Sequence, residues 1–174
     1  LPLVRRSGLR WIKQICYNAD RVDYGPNVRV IARPWIGGTE AQYVAQGAAG
    51  AERYWADHGR LLLGLGAWCY AVEGPNEPAV STAEQRRNLA AFTVRLGALY
   101  YRHDIRLVSG NFSVGNPPLD ADAIRELSPV LYSINFLGLH HYGRPTLAAA
   151  DPYELWRYLY LKEAMGELPP VLLT

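Results

Sequence analysis

Short apolar segments alternate with longer amphipathic segments along most of the chain, and this alternation limits the folds open to it. The apolar segments lack a residue-by-residue change of polarity, which is typical of strands in a parallel sheet covered on both faces. Five strands are predicted, at residues 28–32, 67–72, 105–109, 136–139 and 171–173. Because crossover helices connect parallel strands in a right-handed sense, the sequence predicts an α/β fold built around a parallel sheet.

The amphipathic segments are predicted as helices. They lie at residues 1–17, 39–63, 81–102, 120–131 and 151–165. The first is predicted from a loosely helical spacing of its apolar residues. The third begins with Ser81 and Glu84, whose spacing fits a capping box, in which each side chain bonds to the backbone of the other residue. Strands and helices are therefore expected to alternate in strict order.

The composition indicates one globular domain that spans residues 1–174. Hydrophobic residues make up 49% of the chain and charged residues 20%, which argues against disorder. The net charge of +2 and the dispersed basic residues argue against a nucleic-acid partner. No run of 18 apolar residues occurs, so no membrane span is expected. The spacing of Cys16 and Cys69 does not match a metal site, and a disulfide between them stays open.

Two closures of such a sheet stay open: a doubly wound sheet, or part of a (β/α)8 barrel of the TIM type. The sequence lacks the glycine-rich loops that bind nucleotides, GxGxxG and GxxxxGK[ST], and no cofactor is predicted. Polar residues follow several different strands, which favours the barrel, because reacting groups collect at the carboxyl ends of barrel strands. Five strands form only an incomplete barrel, which other chain segments or subunits are expected to complete.

The residues after the predicted strands carry most of the chemistry of the chain. They are Arg33, Trp35, Glu73, Asn76, Glu77, Asn111, His140, His141 and Tyr142. Sugar sites combine such hydrogen-bonding groups with flat apolar faces and with carboxylates that stabilise an oxocarbenium-like transition state. The adjacent histidines have no third ligand beside them, so no metal is predicted. For Trp35, packing in the core stays open, and for Asn111, a role in a turn.

Three motifs make the comparison with sugar enzymes specific. Residues 72–78 (Val-Glu-Gly-Pro-Asn-Glu-Pro) resemble the E-x-x-N-E-P signature at the end of the fourth barrel strand in clan A glycoside hydrolases. Residues 140–142 (His-His-Tyr) resemble the H-x-Y motif that follows the sixth strand of these enzymes, and residues 171–174 resemble the seventh strand just before its glutamate nucleophile. The order and the rough separations agree over residues 28–174, which corresponds to about strands three to seven of the barrel.

The resemblance implies hydrolysis of O-glycosidic bonds with retention of configuration, on a carbohydrate substrate. Glu77 would be the general acid/base, and the nucleophile is expected just beyond Thr174. Asn76 would bond the sugar 2-hydroxyl, His140 would line the subsite, and Tyr142 would orient the nucleophile. The resemblance also implies an extracellular or cell-surface protein. Two alternatives stay open: an inactive barrel that serves as a carbohydrate-binding or structural module of a larger assembly, and an unrelated α/β enzyme.

Glu73 is expected to have a structural role. It lies four residues before Glu77, in a strand that should be buried. A buried carboxylate has to be paired or neutral. We therefore predict an internal ion pair between Glu73 and Arg33 that orders the top of the barrel without contacting the substrate.

Overall fold

The computed structural model of the chain describes residues 7–113, 115–118, 120–140 and 157–173. Within these residues, six strands form one parallel sheet whose order follows the chain. The strands are β1 (Trp11–Cys16), β2 (Arg29–Pro34), β3 (Ala71–Glu73), β4 (Leu107–Phe112), β5 (Phe136–Leu139) and β6 (Val171–Leu173). Each strand pairs in parallel with the next. A doubly wound sheet reverses its strand order at a switch point, and this sheet does not. The fold is therefore an incomplete β/α barrel of the TIM type, as predicted.

Six helices connect or flank these strands in the described part of the chain. They are α1 (Glu40–Val44), α2 (Gly47–Gly66), α3 (Ala83–Arg102), α4 (Ala121–Glu126), α5 (Ser128–Leu131) and α6 (Arg157–Met165). The predicted helix at 39–63 is two helices, because Gly47, the first residue of α2, adopts a left-handed backbone with φ +57°. The predicted helix at 120–131 is likewise divided. Across the described segments, no helix is both long enough and apolar enough to cross a bilayer.

The prediction of a helix at residues 1–17 is wrong where the structure describes it. Residues 11–16 form β1, which pairs along its whole length with β2. This segment contains Trp11, Ile12 and Ile15, and aromatic and β-branched side chains favour a half-buried strand over a helix. The sheet consequently has one strand more than predicted. The capping box is also displaced by one residue, since Thr82 and Gln85 exchange the two hydrogen bonds, at 3.2 and 3.1 Å.

The sheet separates two apolar clusters. The larger lies between the sheet and its helices and includes Leu62 from α2, Leu96 from α3 and Val72 from β3. The smaller contains Ile31, Ala71 and Val108, with Tyr70, Phe136 and Leu172 packed against it. Neighbouring residues of one strand point to opposite faces of a sheet, and Ala71 and Val72 belong to different clusters. The smaller cluster therefore fills the interior of the incomplete barrel.

Two aromatic rings and an arginine pack together at the amino-terminal end of the interior. The ring centroids of Trp11 and Tyr70 are 5.1 Å apart in an edge-to-face arrangement. The guanidinium of Arg29 lies 5.0 Å from the Trp11 ring and 4.7 Å from the Tyr70 ring. Cation–π contacts of this kind contribute about 0.5–1 kcal/mol each, or more when they are desolvated. The buried or half-buried polar residues Lys13, Glu73 and His140 lie towards the opposite end, where the strands finish.

Both cysteines carry free thiols, so the disulfide left open above does not form. Burial raises the pKa of the Cys69 thiol to about 12, and the pKa of the Cys16 thiol is also raised by burial. Thiols with raised pKa values are poor nucleophiles, because the thiolate is the reactive form. Both residues are therefore packing residues.

Candidate functional site

The loop after β3 is held in an unusual backbone conformation. Glu77 has φ +44° and Asn111, on the neighbouring β4, has φ +40°. The backbone N–H of Glu77 donates to the Asn111 carbonyl oxygen at 3.1 Å. A non-glycine residue in this left-handed region costs of order 1–3 kcal/mol, and such residues persist where the surroundings over-determine them. The two residues therefore constrain each other at the carboxyl end of the sheet.

Asn111 is a structural part of this arrangement. Its side chain is fully buried, and its amide nitrogen donates to the Pro75 carbonyl at 3.1 Å and to the Gly74 carbonyl at 3.4 Å. It thereby fixes the loop that carries Asn76 and Glu77. Asn76 is half-buried, and its side-chain oxygen is buried without a hydrogen-bond partner among the described residues. That Asn76 and Asn111 contact a sugar stays a prediction.

His140 directly follows β5 and lies behind Glu77. Its Nδ1 is 2.7 Å from Glu77 Oε1, and its backbone N–H donates to the Phe112 carbonyl at 2.9 Å. The His140 side chain is 2% exposed, whereas the Glu77 side chain is 35% exposed. The carboxyl group thus reaches solvent at the rim while one of its oxygens is held from within. The structure brings together two residues that the sequence placed on different strands.

A lysine that the sequence analysis did not single out completes this set. Lys13 Nζ lies 3.2 Å from His140 Nε2 and 3.1 Å from Glu73 Oε1. Lys13 is on β1, the strand that was predicted as a helix. Trp11 and Lys13 are two residues apart on a strand and therefore share the interior face. The aromatic and β-branched residues of this segment, which indicate a strand, were the sequence signal that could have identified Lys13 as an interior residue.

The predicted ion pair between Glu73 and Arg33 is wrong, because Lys13 is the partner of Glu73. Lys13 pairs with Ile31 in the sheet register, and its long side chain reaches past β2 to the buried carboxylate. Burial raises the pKa of Glu73, and the charges of Lys13 and then Arg33 oppose that rise. The contact at 3.1 Å is an ion pair without the alignment of a hydrogen bond. Arg33 thus acts on Glu73 through its charge only.

The charge state of His140 follows from its surroundings. Burial is the largest influence and lowers the pKa of His140, as do the charges of Lys13 and Arg33. The hydrogen bond to Glu77 and the charge of Glu77 act in the opposite direction. The net effect is a lowered pKa, so the imidazole is neutral at neutral pH. Because the unfolded chain binds a proton near the usual value of 6.5, folding then excludes that proton.

Replacement of His140 by glutamine is expected to reduce the acid sensitivity of the fold. The unfolded state binds more protons than the native state below about pH 6.5, so His140 makes stability fall as pH decreases through this value. Each unit by which the pKa is lowered corresponds to about 1.4 kcal/mol. Urea unfolding of both proteins at about pH 7.5 and 5.5 measures this difference. Parallel loss of stability in the two proteins would contradict it.

A cavity of about 310 Å³ opens beside the loop, between α1 and α3. Its lining includes Val44, Pro75, Asn76, Glu77 and Asn88. Residues with polar and with apolar side chains therefore line a space large enough for part of a small ligand. Elsewhere on the rim, Trp35 follows β2 and is 46% exposed.

Trp35 has an aromatic neighbour that sequence reasoning missed. Tyr17 follows β1, is 73% exposed, and has its ring centroid 6.0 Å from that of Trp35. The backbone N–H of Trp35 donates to the Cys16 carbonyl at 2.8 Å, which ties the two strand ends together. The indole is therefore a surface residue rather than part of the core. Exposed aromatic faces of this kind suit stacking against sugar rings.

Three of the residues named from the sequence lie outside the described residues: His141, Tyr142 and Thr174. Arg33 is half-buried, and its Nε is buried without a hydrogen-bond partner in the described segments. A search of those same segments finds no cluster of three or more histidine, cysteine, aspartate or glutamate side chains arranged to hold a metal ion.

Comparisons with known proteins add a likeness to solved structures. No protein-family model and no curated protein matches the chain. Among solved structures, it is similar to a curdlan-specific exo-β-1,3-glucanase of family GH128 (subgroup III) from Blastomyces gilchristii, solved in complex with glucose. The TM-score is 0.49 and the sequence identity 19%. The alignment covers 94% of this chain and 66% of the glucanase chain, so the chain spans about two thirds of the length of that enzyme.

Proposed function

We propose that this chain carries the acid/base half of a retaining glycoside hydrolase site. The observation that carries the proposal is the placement of Glu77. Its carboxyl group projects from the carboxyl end of a β/α barrel sheet, is 35% exposed, and is anchored at 2.7 Å by the buried His140. A carboxyl group held on a rigid rim beside an open cavity can approach a glycosidic oxygen. General acid catalysis by such a group contributes about 10²–10⁴-fold to the rate.

The reaction would proceed in two steps. In the first, Glu77 gives its proton to the glycosidic oxygen while a second carboxylate attacks the anomeric carbon and the glycosidic bond breaks. In the second, the ionised Glu77 removes a proton from water, which displaces the enzyme carboxylate and releases the sugar. This mechanism requires the two carboxyl groups to lie roughly 5 Å apart. From the motif resemblance, we expect the second one directly after Thr174.

The remaining rim residues would bind the sugar. Asn76 would bond the 2-hydroxyl of the sugar, and Tyr142 would orient the nucleophile, as the resemblance implies. His140, Asn111 and Trp35 complete the proposed set. Of these, Trp35 presents an exposed indole directly after β2, the strand next to β3, which is where a neighbouring sugar unit could stack.

The test is hydrolysis by the full-length protein of a panel of α- and β-linked oligosaccharides. We expect cleavage of at least one, and nuclear magnetic resonance of the fresh product should show the same anomer as the substrate. Inversion would contradict the retaining mechanism. Sugar binding without cleavage would contradict the hydrolase and support the carbohydrate-binding module. Absence of both binding and cleavage across the panel would overturn any role in sugar recognition.

A further inference from the structure

Three contacts connect Glu73, Lys13, His140 and the proposed acid Glu77 in a row. Glu73 Oε1 is 3.1 Å from Lys13 Nζ, Lys13 Nζ is 3.2 Å from His140 Nε2, and His140 Nδ1 is 2.7 Å from Glu77 Oε1. The first three of these side chains are buried or mostly buried, with exposed fractions of 1% for Glu73, 23% for Lys13 and 2% for His140. This row of contacting side chains therefore begins inside the barrel, at Glu73, and ends at its rim, at Glu77.

The positions of the hydrogen atoms in this row of contacts follow from the chemistry of the ammonium and imidazole groups. A lysine ammonium has three donor hydrogens and no acceptor, so the contact with Lys13 makes Nε2 of His140 an acceptor. A neutral imidazole carries one hydrogen, which must then be on Nδ1. That nitrogen faces Glu77, so it donates to Oε1. The position of a lysine on β1 thus determines which ring nitrogen carries the hydrogen, and this is the nitrogen that faces the carboxyl group of Glu77.

We propose that Lys13 is a positioning residue that holds His140 as the neutral Nδ1–H tautomer, and that this tautomer reserves Oε2 of Glu77 for the catalytic proton. The second half of this statement rests on the proposed function. Because Oε1 accepts the hydrogen bond from His140, the proton that Glu77 gives to a glycosidic oxygen is carried on Oε2. After transfer, the carboxylate keeps the same hydrogen bond, so the group does not have to turn between the two steps.

The charges around His140 are consistent with this assignment. Among the described residues, the charged groups around it are Lys13 from β1, Arg33 from β2, Glu73 at the end of β3, and Glu77 from the following loop. Burial and the two cations lower the pKa of the imidazole. A neutral imidazole orients Glu77 without adding a full positive charge. An imidazolium in the same place would favour the carboxylate form and so remove the proton that a general acid needs.

The tautomer can be read directly by nuclear magnetic resonance of the full-length protein with ¹⁵N-labelled histidine. The chain has four histidines, and the His140 signals are identified by their loss in the His140→Gln variant. We expect ring shifts of a protonated Nδ1 and an unprotonated Nε2, with a titration midpoint below about 6.5. An Nε2–H tautomer in the wild-type protein would overturn the proposal.

Substitution of Lys13 tests its role. In Lys13→Met the midpoint of His140 is expected to rise by about one unit or more, because a charge within about 4–6 Å is lost. Lys13→Arg should keep the wild-type tautomer, since it keeps a donor and a charge. The double variant Lys13→Met/Glu73→Gln avoids an unpaired buried carboxylate and should show the same raised midpoint. An unchanged midpoint in both methionine variants would overturn the role of Lys13.

This experiment does not depend on turnover. A protein with the expected tautomer that cleaves no glycan would overturn the proposed function and leave the assignment of His140 intact. A protein that cleaves glycans but shows the Nε2–H tautomer would overturn the assignment of His140 and leave the proposed function intact.

Discussion

Replacement of Glu77 by glutamine is expected to reduce turnover of natural glycosides by at least about a hundredfold while sugar binding persists. Glutamine has nearly the shape of glutamate, and its carbonyl oxygen can still accept the hydrogen bond from His140 Nδ1. The amide cannot supply a proton to a departing sugar oxygen. The loss should therefore appear in kcat, with little change in the dissociation constant for a bound oligosaccharide. Steady-state kinetics and calorimetric titration of the full-length protein measure the two quantities.

The leaving group provides a sharper discrimination. A departing sugar alcohol needs a proton, whereas an activated phenolate departs without one. Because Glu77 also acts as the base of the second step, the comparison uses kcat/KM, which reports the first step. Glu77→Gln should consequently retain far more of its kcat/KM on an aryl glycoside with an acidic phenol than on a natural disaccharide. Glu163→Gln, which removes the same charge from an exposed position on α6, serves as the control and should behave as wild type. Equal losses on both substrates, or unchanged turnover of the disaccharide, would sink the assignment of Glu77.

Local sequence patterns predicted five of the six strands that the structure describes, together with the loop after β3. The strands at residues 136–139 and 171–173 were predicted with the bounds that the structure shows. They are short apolar segments between clear turn signals, so the sequence leaves few other positions at which these strands could begin or end. The loop with Asn76 and Glu77 was predicted to end a buried strand, and it begins at Gly74, directly after β3. Such features depend on neighbours in the sequence, which a linear pattern records.

Partners that come from distant strands were not predictable in the same way. Lys13 and Glu73 are 60 residues apart in sequence, and their contact depends on the register of three strands. The error at β1 removed Lys13 from consideration, and Arg33 was then the nearest cation on the neighbouring strand. A lysine side chain is long enough to bypass that neighbour. Whether Lys13 or Arg33 pairs with Glu73 thus depends on distances across the barrel interior. The spacing of residues along the sequence does not record these distances.

Precision at the site also depends on a residue with no side chain. A Cβ atom at Gly138 on β5 would lie 2.0 Å from Asn111 Oδ1 and 3.0 Å from its Cγ. Asn111 cannot easily withdraw, because its amide nitrogen holds the carbonyls of Gly74 and Pro75. Close approach of β5 to this amide therefore requires glycine. The positions of Asn76 and Glu77 follow from the same contact, since Asn111 fixes their loop.

Gly138→Ala is therefore expected to destabilise the protein by about 1–3 kcal/mol, the usual cost of overpacking a buried position, and to impair the site. Urea unfolding measures the change. Gly59→Ala in α2, where the nearest atom would lie at 3.4 Å, is the matched control and should not lower stability.

A double-mutant cycle separates the clash with Asn111 from a general intolerance of β5. Asn111→Gly removes the atoms that the new methyl group meets, and glycine tolerates the φ of +40° at this position. Alone it should also destabilise, because the two loop carbonyls lose their donor. In that background, however, Gly138→Ala should cost less than about 1 kcal/mol, since the effects of residues in contact are not additive. An equal cost in both backgrounds would mean that the backbone of β5, and not the buried amide, requires glycine at this position.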